Sequence, residues 1–180
     1  FYWFDWKLTD GSKITSPSFW FDYQDNRYDW QSKINDAFEI YWQSGDEVFA
    51  QKVYSTGKTS LESVNQILKA QLPQPLKIII FSSPAALQDS LNFSNQPWIA
   101  GHANPALGMV FISLPDGPNQ QLELERQLPH EIMHLAEYQL AGPSYLNQPV
   151  WLKEGLASTA ELYPNPDYQR VIEKAAANGT

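Results

Sequence analysis

The 180-residue chain contains no cysteine. That excludes disulfide bridges and thiol nucleophiles but does not fix a compartment, because exported proteins also do without cysteine. Long apolar runs are missing as well. None exceeds the length of Ile78-Ile79-Ile80-Phe81, where a membrane-spanning helix needs about 20 apolar residues. Basic residues are few, 12 against 20 acidic ones for a net charge of −8, and they form no cluster that could follow a phosphate backbone. Nucleic acid and anionic membrane surfaces are therefore poor partners. There is no initiating Met and no charged segment leading into an apolar one, so the expectation is a mature form or an excised fragment, with room for a signal peptide upstream. Histidine is scarce too, at three residues, and two of these stand four apart.

What is present is a foldable composition. An apolar content of 43%, with seven Trp, nine Tyr and nine Phe, marks a globular chain, and its length suits one core with at most a small appendage. Phe1 to Leu8 is aromatic and partly alternating, and Lys13 to Tyr23 runs extended again; Asp10-Gly11 between them is a strong hairpin signal. A lone hairpin is barely stable in water, so these strands should pair or pack with something else. Asp22 to Asp29 reads as a linker; its aspartates lack the Gly and terminal Glu of a calcium loop. Phe38, Ile40 and Trp42 alternate as a strand.

Asp46 is a plausible N-cap for a helix that carries Val48, Phe49, Val53, Leu61, Val64, Ile67 and Leu68 at helical spacing towards Pro73, with a bend expected at Gly57. Leu76 to Phe81 reads as a buried strand, Ser83-Pro84 opens a helix to about Leu91, Asn92 to Asn104 is loop-like, and Leu107 to Leu114 is another strand. Asn119 to Leu140 has Leu124, Leu128, Ile132 and Leu135 at helical spacing, and Pro129 predicts a kink or a break into two helices. Gly142-Pro143 stops it. Pro149 then opens a helix to about Tyr163, and Pro166 to Ala177 forms one more.

The chemistry concentrates in Pro129-His130-Glu131-Ile132-Met133-His134. Histidines four apart on a helix lie about one turn apart on one face, so both imidazoles can reach one ion. Glu131, rotated about 100° from His130 on the helical wheel, can sit beside that ion as general base towards an activated water. A catalytic zinc takes three protein ligands and keeps a fourth position open. Glu154, in Trp151-Leu152-Lys153-Glu154-Gly155-Leu156-Ala157, is the candidate third ligand.

The pair of motifs HExxH and WLxEGxA resembles the gluzincin metallopeptidases, in particular the peptidase MA-like domains of bacterial extracytoplasmic proteins, over roughly Tyr28 to the C-terminus. Nineteen residues separate His134 from Glu154, a spacing similar to that of other gluzincins. The resemblance implies zinc held by His130, His134 and Glu154, Glu131 as catalytic base, hydrolysis of peptide bonds, and a location outside the cytoplasm. It also implies an α+β, zincin-like fold, with a small mixed or antiparallel sheet, an active-site helix, a second helix bearing the third ligand, and an N-terminal hairpin. Residues 28–180 would be the peptidase domain. Residues 1–27 would be hairpin and linker, with two readings open: the last strands of a preceding β-sandwich module, or part of the catalytic domain itself.

In that family an edge strand overlies the active-site helix and pairs with an extended peptide substrate; residues 107–114 are the expected strand. His102, just before it, is a candidate for substrate binding or oxyanion stabilisation. Ligating histidines usually donate their second ring N–H to a carboxylate or carbonyl, for which Glu161 and then Ser158 are the candidates, whereas Glu137 reads as a solvated helix residue. An oxyanion donor is expected from a later segment, as in related peptidases. Tyr163 and Tyr168 are the nearby tyrosines downstream of Glu154, and a further reading is that the chain ends before the true donor. Two other function classes stay open. One is a non-catalytic module that binds zinc and a peptide or cell-envelope ligand, against which Glu131 argues, since a structural site needs no base. The other is a zinc hydrolase of a non-peptide amide, because ligands alone do not define a substrate.

Overall fold

The computed structural model describes residues 2–19, 25–91, 101–163 and 166–179. The N-terminal hairpin pairs β1 (Asp5–Lys7) with β2 (Lys13–Thr15) in antiparallel register, Trp6 opposite Ile14. Gly11 supplies the positive φ of 86° at the turn, and Asp10 accepts from the Ser12 N–H and hydroxyl. Its aromatic side chains stack on one another: Tyr2 on Phe19 at 5.4 Å and Phe4 on Trp6 at 5.9 Å between ring centroids. Among the described residues the hairpin forms a two-stranded sheet of its own. Residues 20–23 of its expected second strand, and 22–24 of the expected linker, lie outside the described residues.

The rest is α+β. Strand β3 (Gln31–Ile34) runs antiparallel to β4 (Phe38–Trp42), and β4 is followed by helix α1 (Glu47–Leu68) and the parallel strand β5 (Leu76–Phe81). A parallel pair needs such a crossover, and α1 provides it. Asp46 caps α1 by accepting from the Phe49 N–H at 3.0 Å. After α2 (Pro84–Leu91) come β6 (Gly101–Asn104) and β7 (Met109–Ser113), joined by a single 3-10 turn, Pro105–Leu107. The sheet order is β3-β4-β5-β7-β6, with β7 parallel to β5 and antiparallel to β6. Helix α3 (Gln120–Ala141), a 3-10 stretch (Gly142–Asn147), α4 (Val150–Ala160) and α5 (Pro166–Asn178) complete the chain. No described helix is long and apolar enough to cross a membrane.

Alternation along the strands divides the sheet into two faces. Phe38, Ile40, Ile78, Ile80, Val110 and Ile112 pack against α1 and α3 in the main core. Ile79, Phe81 and Phe111 face the other way and meet Leu87 of α2. Each fully buried aliphatic or aromatic side chain contributes about 1.5–3 kcal/mol relative to exposure, so the core face is what fixes α3 against the sheet.

Several expectations need correction. The strand expected at 107–114 is shorter and is not an edge: among the described residues β7 lies between β5 and β6, and β6 is the edge nearest α3. Residues 101–104, expected as loop, are that edge strand, while 92–100 lie outside the described residues. Helix α1 runs continuously through Gly57, where a Cβ would sit 3.0 Å from the Phe38 ring, so the glycine allows close helix–sheet packing. Of the two outcomes expected at Pro129, the break into two helices does not occur: α3 is continuous through it. An internal proline costs about 3 kcal/mol, and burial of Leu124, Leu128, Ile132 and Leu135 along one face offsets it. Helix α4 ends at Ala160, short of Tyr163.

Candidate metal centre

The apolar stripe of α3 faces the sheet, which leaves His130, Glu131 and His134 on the flank beside β6 and α4. The two imidazoles stand edge to face with centroids 5.0 Å apart. His130 Nδ1 lies 3.1 Å from Glu161 Oε1, and His134 Nδ1 lies 3.1 Å from Glu137 Oε2. A carboxylate only accepts, so each Nδ1 carries the proton and donates it, and both Nε2 lone pairs are left free. These lone pairs face Glu154 Oε2, at 3.2 Å from His130 and 3.7 Å from His134.

Acceptors this close repel unless a proton or a metal cation stands between them; a proton on His130 Nε2 would bridge to Glu154 Oε2, and a metal ion would bridge all three. A tetrahedral ion with bonds of about 2.0–2.1 Å separates its ligand atoms by about 3.3 Å, close to the spacings found. The donor atoms of His130, His134 and Glu154 all lie within 4.8 Å of one another, a group that could hold a metal ion. Among the described residues neither Lys nor Arg lines the cleft, although the Lys153 ammonium lies 4.9 Å from the ring of Tyr145 on its wall. The residues fit a divalent cation.

Glu131 is buried beside this group and packs directly on β6. A Cβ built on Gly101 would stand 2.4 Å from Glu131 Oε1, so only glycine leaves the carboxylate its place. Burial pushes the Glu131 carboxyl up to about 7, with Glu154 adding to the effect and both histidines opposing it. For His130, burial disfavours the imidazolium, but the Glu161 hydrogen bond and the charges of Glu131, Glu154 and Glu161 outweigh it, and the pKa is raised.

The site opens into a cleft of about 790 Å³, with Gly101 to Ala106 on one wall and Tyr138, Tyr145, Leu146 and Val150 on the other. The Tyr145 hydroxyl is 3.2 Å from His134 Nδ1, and burial, with the nearby carboxylates, keeps the phenol protonated far above its ordinary range.

The structure thus brings His130, Glu131, His134, Glu154 and Glu161 together and leaves other candidates apart. His102 lies on the β6 wall of the same cleft, its ring stacked on Phe111, and no hydrogen bond among the described residues ties it to either imidazole. Among the described residues no hydrogen bond joins Ser158 to either imidazole; its carbonyl accepts from the Glu161 N–H in the last turn of α4. Tyr163 and Tyr168 are exposed, and Tyr163 offers its carbonyl to Arg126. Glu137, expected to be solvated, is buried against His134. Its position three residues after His134 was the available signal, since i,i+3 side chains meet on a helix. Tyr145 had none, because it comes from an irregular turn whose burial depends on tertiary packing.

The sequence profile of the Peptidase MA superfamily matches residues 56–180, more than half of the chain. No curated protein matches it.

Proposed function

We propose that this chain, which belongs to the peptidase MA superfamily, is a zinc-dependent peptidase whose metal is held by His130, His134 and Glu154. The observation that carries this reading is the convergence of those three donors on one point, beside a buried Glu131. Zinc, when bound, supplies Lewis-acid polarisation of a carbonyl and acidifies water at the open ligand position. Two imidazoles and one carboxylate are the donor set of a catalytic site, which keeps that position free.

The chain's own residues supply the rest. Glu131, buried beside the three donors, takes a proton from the attacking water and returns it to the leaving amine. Glu161 and Glu137 hold the imidazoles in the tautomer that leaves Nε2 free. Tyr145, protonated and on the cleft wall, is a donor for the developing oxyanion. An extended peptide laid along β6, the edge strand among the described residues, brings its scissile bond past Glu131. The extracytoplasmic location rests on the family resemblance alone.

The test is cleavage of a quenched fluorescent peptide mixture. Activity should vanish with a chelator, return with added zinc, and fall by about 100-fold or more in Glu131→Gln. Full activity in Glu131→Gln would refute the assigned base.

A further inference from the structure

Pro129 sits immediately before the first histidine, where a helix former would be expected. Having no N–H, it leaves the carbonyl of Glu125, four residues earlier, without its intrahelical donor. That carbonyl is not left unpaired. The Leu162 N–H, from the chain just beyond α4, donates to it at 3.0 Å. One residue on, the Tyr163 carbonyl accepts from Arg126 Nε at 3.1 Å. One residue back, Glu161 Oε1 holds His130 Nδ1 at 3.1 Å. Three consecutive residues, 161–163, are therefore tied to the turn of α3 that ends in the first ligand.

This stitching also explains where α4 stops. A continued helix would send the Leu162 N–H to Ser158, but it goes to Glu125, and the backbone leaves helical geometry at Glu161 with ψ 127°. Glu161 thus reaches His130 from the first position past the helix.

We infer that Pro129 and Arg126 are positioning residues of the metal centre: the carbonyl that Pro129 frees and the Arg126 guanidinium dock residues 161–163 onto α3, and so aim Glu161 at His130. The inference rests on the proposed metal site. It adds a structural reason for a proline inside the metal-binding helix, and it names a residue, Arg126, that touches neither the metal ligands nor the cleft.

The test is zinc affinity, by competition with a chromophoric chelator, together with amide exchange of the metal-free protein. Pro129→Ala restores the intrahelical donor in a better helix former, so the variant should fold. Zinc affinity should drop about tenfold or more in Pro129→Ala and in Glu161→Ala, the scale of lost partners of ligating histidines. Arg126→Met should weaken it and Arg126→Lys should restore it. Pro129→Ala should cost nothing more in a Glu161→Ala background, and the Leu162 amide, protected in the wild type, should exchange faster in Pro129→Ala.

Additive losses in the double variant, or unchanged affinity in Pro129→Ala while Glu161→Ala loses it, would overturn the inference but leave the metal site standing. An unprotected Leu162 amide in the wild type would overturn it whatever the zinc result. No zinc binding by the wild type would instead bring down the metal site itself.

Discussion

At the scale of single residues, the centre is a concentration of carboxylates around two imidazoles, and its metal-free form should show the strain in its pH response. Glu131 titrates near 7 in the fold against 4.5 as an ordinary carboxyl. The folded state then holds more protons than the unfolded state across that window, so stability is fullest below 4.5 and is lost as pH rises through about 7. His130, also raised, acts in the same direction. The melting temperature of chelator-treated protein should therefore fall between about pH 5 and about pH 8, and fall less in Glu131→Gln. A melting temperature that rises across that interval would show that Glu131 is not buried as described. The histidine pair was readable because helical geometry alone aligns residues four apart, whereas Glu154, on another helix, was readable only through the resemblance of WLxEGxA. Glu137 and Tyr145 were not readable in the same way. Their burial depends on where the chain turns after α3, and no local spacing encodes that.

At the scale of elements, the decisive contact is between strand β6 and helix α3. Gly101 has no positive φ to explain it, so its role is space: the Glu131 carboxylate occupies the volume of a Cβ. Gly101→Ala should fold and keep its metal, since the displaced atom is the end of a flexible side chain. Turnover should nevertheless fall by about tenfold to a hundredfold, as a misplacement near 1 Å costs, with KM little changed. Added to Glu131→Asp, whose shorter side chain has already left the contact, it should cost little; an equal loss in both backgrounds would argue against this packing. Strand β4, the N-cap of α1 and strand β5 were legible from alternation, Asp46 and the apolar run behind Pro75. The identity of the edge strand was not, because 101–104 carry the glycine, histidine and asparagine of a loop. Pro129 left a kink or a break open by local rules, and burial of Leu128 and Ile132 and a donor from Leu162 exclude the break.

At the scale of the whole molecule, the sheet works as a platform. One face, with α1 and α3 packed on it, holds the candidate ligands at its β6 edge, and the other packs on α2. The candidate third ligand, Glu154, comes from α4, whose end is fastened to α3, so a bound metal would join two helices already in contact. The central claim is that this junction binds zinc through three side chains. Its most direct test is the metal content of protein purified with zinc and then freed of excess, for the wild type, Glu131→Gln and Glu154→Ala. The account predicts about one zinc per chain in the wild type and in Glu131→Gln, and its loss in Glu154→Ala. No zinc in the wild type, or undiminished zinc in Glu154→Ala, would contradict it.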